Sequence, residues 1–244
     1  MRLFKKNTSD KSSSAIFGRM AVRDRFADIS EKVDKKNPII VECGASTGPI
    51  IEKYLSLFDD PIVYAFEPQP KFVEILTAKF SGNPNIHIFR KAVGASNDIL
   101  QFNVLSRNTS SSFLNPTPTN KNYHPEEMER SSVIEVEQVR IDKVIQDSQI
   151  DLLKLDLQGY ELEALKGCEK VLDKIKIITT EIEFIPLYEG QPLFGDIDAF
   201  LRNNHFCLFN LYELYTQKDG QLTAGDAIYL NTKYYSQKLA NSSY

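Results

Sequence analysis

The chain has 244 residues, 42% hydrophobic and 25% charged, which suffices for one domain with a full buried core and is ordinary composition for a soluble protein. No stretch approaches the roughly 20 apolar residues of a membrane span, and no apolar core follows the basic, serine-bearing N-terminus, so neither a transmembrane segment nor a secretory signal is read and a cytoplasmic location is expected. Charge is uneven: residues 1–37 hold ten Lys and Arg against five Asp and Glu (+5), which leaves −9 of the total −4 on the remainder and argues against nucleic acid as its partner.

The basic segment, 1–37, is read as a helical extension, with a helix over Ala15–Val33 that sets Ile16, Met20 and Phe26 loosely on one side. Packing beside the first strand of a sheet is the preferred role, and docking to a membrane surface or a partner is the alternative. From residue 38 to the end, strand and helix alternate, the pattern of a parallel sheet covered on both faces. Strand Ile39–Glu42 leads to a helix over Pro49–Phe58, with Thr47 available as cap and Pro49 suited to the first turn. Ile62–Phe66 is a second strand, Pro70–Phe80 a second helix, Ile86–Phe89 a third strand and Ile99–Val104 an additional one. Residues 106–131 are rich in Ser, Thr, Asn and Pro without periodicity, and a loop of that length is either functional or disordered. Val133–Val139 alternates, Asp151–Leu155 is a nearly continuous apolar strand, Tyr160–Leu172 is helical and Lys176–Phe184 is a long strand. A short helix over Asp196–Asn203 and an antiparallel hairpin of Phe206–Tyr215 with Ala227–Asn231, turning near Asp219-Gly220, close the chain.

Two stretches carry chemistry. In Val41-Glu42-Cys43-Gly44-Ala45-Ser46-Thr47-Gly48, an apolar strand ends on an acid and breaks into a glycine-bounded turn, and Glu67 ends the next strand 23 residues beyond Gly44. A carboxylate there accepts hydrogen bonds from vicinal ribose hydroxyls while the first turn holds the rest of a nucleoside. A dinucleotide site wants G-x-G-x-x-G, whereas these glycines are four apart and follow Glu42. Backbone N–H groups, hydroxyls and carboxylates suit S-adenosylmethionine instead, which offers a carboxylate, an ammonium and a sulfonium. In the second stretch, Leu152 to Gly167, a buried strand delivers Asp156 at its carboxyl end, in the crevice where open α/β sheets bind ligands. Each has a blander reading, a tight strand-to-helix turn for the first and a helix-capping aspartate for the second. The three cysteines and three histidines show no paired or metal-ligand spacing, so neither a disulfide nor a metal site is expected.

These segments, with Phe66-Glu67-Pro68, Lys91-Ala92-Val93-Gly94, Ser111-Ser112-Phe113-Leu114 and Glu181 to Gly190, resemble an FkbM-type methyltransferase, a branch of the class I S-adenosylmethionine-dependent enzymes, over about residues 38–231. The resemblance implies a Rossmann-like three-layer sandwich whose mostly parallel seven-stranded sheet ends in a reversed strand. It also implies S-adenosyl-L-methionine as methyl donor and O-methylation of a hydroxyl on a sugar or other small molecule. On that resemblance, Glu42, Gly44, Ser46 and Thr47 line the methionine end, Glu67 holds the ribose, and Pro68, Ala92 and Val93 lie near the adenine. Glu42 stands where aspartate is common and Gln158 where many relatives carry glutamate, which puts a metal or carboxylate-base role at Gln158 in doubt. Candidate bases are Asp156 first, then Glu181 and His124; Tyr123, Tyr160 and Tyr188 are candidates for contact with a sugar-like acceptor, shaped by residues 106–131 and 184–195. Two other readings remain: an NAD-dependent oxidoreductase, and a non-catalytic module that keeps the cofactor fold.

Overall fold

Largely apolar runs of four to eleven residues, each ending near a polar or glycine-bearing turn, assemble here into one central sheet. The computed structural model describes residues 23–123, 129–145 and 149–235. Strands β1 (Ile39–Cys43), β2 (Ile62–Phe66) and β3 (Ile86–Phe89) pair in parallel, with Ile39 opposite Ile62 and Val63 opposite Ile86. On the other side of β1 come β7 (Ile150–Leu155), with Val41 opposite Leu153, and β8 (Ile175–Glu183), also parallel. The hairpin of β9 (Phe206–Thr216) and β10 (Leu222–Asn231) returns so that β10 inserts antiparallel between β8 and β9, giving the order β3-β2-β1-β7-β8-β10-β9. The sheet is thus mostly parallel with its last strand reversed. All six residues of β7 are buried, as a central strand covered on both faces requires.

Helices α2 (Pro49–Leu57) and α3 (Pro70–Phe80) each begin on a proline, whose fixed φ and missing N–H suit the first turn. Gly48, at φ 83°, is the N-terminal cap of α2, so Thr47 does not cap it: the chain turns through a left-handed residue where a threonine would be strained. Helix α6 (Glu161–Lys166) is shorter than the sequence periodicity predicts. Its continuation dissolves into turns because the Gly167 carbonyl accepts from Asp142 N–H, at the start of the one-turn helix α5 (Ile141–Val144). Helix α7 (Phe194–Asn203) covers the hairpin side of the sheet through Ile197 and Leu201.

β4 (Ala92–Val93), β5 (Ile99–Leu105) and β6 (Arg130–Val139) form a second, three-stranded sheet in the order β4-β6-β5 that the sequence pattern did not separate from the first. The long polar segment between β5 and β6 is ordered across 106–123. It carries a 3-10 turn at Asn108–Ser110 and the short α4 (Pro118–Tyr123), and it bridges β5 at Asn103 and Ser112. Residues 124–128, including His124, lie outside the described residues, as does the Tyr123 side chain.

Within the basic segment the described helix is α1 (Arg25–Val33) rather than Ala15–Val33. Asp24 is extended and its carboxylate accepts from Ala27 N–H, so a helix start is built at that position; residues 1–22, with Ile16 and Met20, lie outside the described residues. Ile29 and Val33 are buried in the core cluster of Ile40, Tyr54, Ile177 and Ile228. The polar contacts of α1 run to the hairpin rather than to β1: Tyr212 donates to Asp28 at 2.7 Å, Arg23 pairs with the same carboxylate, and Arg25 pairs with Asp226 of β10. No described helix is long and apolar enough to cross a membrane, and all three cysteines are free thiols. Because Ile29 is 1% exposed, Ile29→Ala is expected to lower unfolding free energy by about 2–4 kcal/mol, read as a lower denaturant midpoint with unchanged slope.

Candidate active site

The carboxyl ends of β1, β2 and β7 converge because the turn after β1 lies directly on the backbone after β7. Gly44, at φ 84°, approaches so closely that a Cβ there would stand 2.0 Å from the Asp156 carbonyl oxygen. Its N–H donates to the Phe66 carbonyl at 3.0 Å, so one glycine ties all three strand ends together. Beside it opens a cleft of about 280 Å³. Gly44 and Ser46 line it from the first turn, Glu67 and Pro68 from the second, Ala92 and Val93 from β4, and Asp156 from the end of β7.

Glu67 is 3% exposed, and each of its oxygens accepts one backbone hydrogen bond: Oε2 from Ser46 at 2.8 Å, Oε1 from Gln69 at 2.9 Å. Each retains a second lone pair. Burial pushes its carboxyl up to about 7, although the two N–H donors work against that rise.

Glu42 does not line the cleft. Its side chain, 1% exposed, stands behind the first turn, 3.2 Å from the Lys154 ammonium and beside the buried Tyr54 hydroxyl. Among the described residues neither Glu42 oxygen has a well-aligned hydrogen-bond donor, so that contact with Lys154 is ionic. Lys154 also donates to Asp156 Oδ2 at 3.1 Å, which makes it the shared cation of two carboxylates on adjacent strands. Burial favours its neutral form, but Asp156 and Glu42 outweigh that and hold it protonated. Sequence reasoning passed over this lysine as part of an apolar strand. The signal was there: one charged residue in Leu152-Leu153-Lys154-Leu155, at the register position opposite Glu42.

Asp156 lies deep among protein atoms yet keeps 42% of its side-chain surface open, because it faces the cleft. Burial alone would raise its carboxyl; Lys154 first, then the Gln158 amide, reverse this and hold it below the ordinary range. Gln158 Nε2 donates to Asp156 Oδ1 at 3.1 Å and to Glu181 Oε2 at 2.8 Å. Glu181 itself lies outside the lining, one amide away from the cleft, and burial together with the Asp156 charge pushes it well above the usual carboxylate range. Both causes favour its protonated form. Thr47 also lies outside the lining.

The outer wall comes from the segment after β5. Phe102, Phe113 and Tyr160 line the cleft, with Phe113 edge-on to Phe102 at 5.2 Å between centroids and 4.7 Å from Tyr160. Ser112 Oγ donates to the Gln158 carbonyl at 2.8 Å, and Thr117 N–H donates to Leu187 O, so residues 106–117 are pinned over the site and backed by the segment after β8. Of the stretch 184–195, none reaches the cleft; Tyr188 touches it only through Gln158.

Residues 42–208 match the Methyltransferase FkbM domain. The chain belongs to the FkbM methyltransferase family. It is 26% identical over 214 residues to the 2-O-methyltransferase NoeI of Sinorhizobium fredii strain NGR234, covering 82% of each chain. Its fold matches that of a crystallised methyltransferase FkbM from Methylobacillus flagellatus KT at a TM-score of 0.53 and 15% identity. That match covers 80% of this chain and 44% of the other, so the chain spans under half of that longer protein. Membership in a methyltransferase family sets aside the oxidoreductase reading. In this FkbM methyltransferase, Gly44, Ser46, Glu67, Pro68, Ala92, Val93 and Asp156 share one cleft, with Glu42 one layer behind.

Two outcomes follow from the charges. Replacing the shared cation by Lys154→Met leaves Glu42 facing Asp156 without compensation and should lower stability at pH 8 by about 3 kcal/mol, the low end for a broken buried pair because Asp156 is open to the cleft. The second concerns pH. Burial pushes Glu67 and Glu161 up to about 7 and Asp226 to about 6. Folded pKa values above the unfolded ones mean that the protonated forms favour the fold, so their stabilisation is complete below about 4.5 and is lost as pH rises through 6 to 7. The ligand-free protein should therefore melt at higher temperature at pH 6 than at pH 8, and Glu67→Gln should reduce that difference.

Proposed function

We propose that this chain transfers a methyl group from S-adenosylmethionine to a hydroxyl oxygen of a small-molecule acceptor, with sugars as the first class to test. The observation that carries the reading is the convergence of Glu67 and Asp156 on one cleft whose other walls combine apolar and aromatic surface with Lys91, Lys154, Gln158 and the hydroxyl residues Ser46, Thr109 and Ser111. The residues fit such a ligand. Glu67 has two free lone pairs at a strand end for ribose hydroxyls, while Pro68, Ala92 and Val93 offer apolar surface to a purine. Backbone at Gly44 and Ser46, with the charge of Asp156, suits the amino-acid end. The name of the Sinorhizobium relative supports oxygen as the target atom, and the −9 charge of residues 38–244 supports a small molecule over nucleic acid.

When bound, the cofactor supplies a methyl group on cationic sulfur that is displaced in line, the electron pair of the broken C–S bond remaining on sulfur. The protein's part is to orient the acceptor and receive its proton. Asp156 is the base in this reading, and Lys154 and Gln158 hold it ionised. A weakly basic carboxylate suffices, because an oxygen gaining a methyl group becomes strongly acidic as the bond forms. Glu181 falls behind it because burial and the Asp156 charge favour its protonated form, and His124, the remaining candidate, lies outside the described residues. We place the protein in the cytosol, with residues 1–37 as an extension whose described part docks on the catalytic domain.

Calorimetric titration should give micromolar S-adenosylmethionine binding that weakens as pH falls through about 7, where Glu67 loses the charge that accepts the ribose hydroxyls, by up to about tenfold per unit. Glu67→Ala should abolish both the affinity and its pH dependence. Transfer of labelled methyl to a panel of glycosides and other hydroxyl compounds then tests the reaction: binding without transfer to any of them would favour a module that holds the cofactor and does no chemistry.

A further inference from the structure

Gln158 is the one side chain bonded to both acids at the inner end of the cleft, and its orientation is not self-determined. An amide is nearly symmetric in shape, so the neighbours decide which end carries the donors. Two carboxyl groups on one side, Asp156 and Glu181, call for N–H. On the other side stands the hydroxyl of Tyr188, a residue 2% exposed, whose single proton is shared between Gln158 Oε1 at 2.9 Å and the Ser110 carbonyl at 2.8 Å. Gln158 also sits at φ 54°, a left-handed backbone held in place by Ser112 Oγ on its carbonyl. Tyr188 is itself fixed: its N–H donates to Gln191 Oε1, it bridges Pro116, and its ring packs against Gly159.

We propose that Tyr188 is a positioning residue for methyl transfer: its buried hydroxyl turns the Gln158 amide so that Nε2 holds Asp156 and Glu181 together and aims the Asp156 carboxylate at the place where methyl carbon and acceptor oxygen meet. This inference rests on the cofactor reading above. Its logic is a division of labour between two acids. The amide and Lys154 both donate to Asp156 and favour its charged form, whereas burial beside that charge favours the protonated form of Glu181. Without the tyrosine hydroxyl, Oε1 loses its donor, the amide is free to rotate, and Asp156 loses the amide donor that stands beside Lys154. The Asp156 charge in turn reaches Glu42 of β1, Glu67 after β2, Glu161 of α6, Glu183 of β8 and Asp226 of β10, and favours the protonated form of each.

The test needs no acceptor. Sinefungin carries a protonated amine where the methylsulfonium sits, and S-adenosylhomocysteine carries nothing there, so the ratio of their affinities reads the negative charge facing the methyl position. Calorimetry across pH 5–9 should show wild type preferring sinefungin, with the preference declining only at the acid end and absent in Asp156→Asn. Tyr188→Phe should move that decline up by about one pH unit, an approximately tenfold smaller preference at a given acid pH, while homocysteine-product affinity at pH 8 stays within about twofold. Gln158→Glu, which keeps the shape but removes the donors, should shift it the same way and serves as the second variant should Tyr188→Phe melt early. A wild-type profile in both variants overturns the proposal, as does a uniform weakening of both ligands, which would make the hydroxyl only a structural tie. Wild type that binds neither ligand refutes the cofactor reading itself, a separate and distinguishable result.

Discussion

One ammonium group holds the floor of this site together. Lys154 rises from a strand that is apolar apart from Asp151 at its far end, and lies between Glu42 on β1 and Asp156 just beyond its own strand, 3.2 and 3.1 Å away. A lysine so enclosed would ordinarily give up its proton, and two carboxylates so placed would ordinarily share one. Lys154 and Asp156 favour each other's charged form, while burial pushes the Glu42 carboxyl upward against the pull of the same ammonium. The cost of burying them is why such an arrangement is poor evidence for stability. Its effect is geometric: it fixes where the charge of Asp156 points.

That geometry depends on backbone contacts that no side chain can replace. Gly44 sits against the Asp156 carbonyl, and its N–H reaches Phe66, so the turn after β1 is a wedge between the ends of β2 and β7. The second sheet then brings Ala92 and Phe102 to the cleft, and the segment that follows β5 folds back as an aromatic wall instead of remaining an open loop. Asn103 helps to explain why a Ser- and Asn-rich stretch is ordered: its side-chain amide donates to the carbonyls of Phe113 and Leu114, and its backbone bridges Ser112. Polar composition here satisfies buried backbone, a use that low periodicity alone does not distinguish from disorder.

The strands of the main sheet were legible as apolar runs bounded by turn residues, and their ends landed within a residue or two of where pattern placed them except for β10, which starts at Leu222 rather than Ala227. Glu67 and Asp156 were legible for the same reason: an acid that closes an apolar strand has one place to go. What was not legible depends on pairs distant in sequence. The relation of Lys154 to Glu42 exists only through the register of β1 on β7, and that of Tyr188 to Gln158 only through the folding of two loops onto a third. The Thr47 cap failed because helix-start statistics do not see the left-handed turn at Gly48, and α6 ended early because a donor from α5 takes its last carbonyl. Helix α1 was placed beside the first strand, but its charges pair with β9 and β10, a preference set by Asp226 and Tyr212 some two hundred residues away.

An acid-rich pocket buried to this degree works against the fold that contains it. Glu67, Glu161, Glu181 and Asp226 are each pushed upward by burial, so near neutrality part of the ensemble holds protons where it lacks countercharge. The described cations there are already paired: Lys154 with Glu42 and Asp156, Arg25 with Asp226, and Lys91 of the lining with Glu137. A ligand with positive charge relieves exactly the repulsion that destabilises the empty protein, so binding and stability are opposed by construction, as at many functional sites. The same field ranks ligands by charge. A cofactor that loses its sulfonium charge on reaction leaves a less favourable product behind, and the electrostatics that draw the donor in then assist release of what remains.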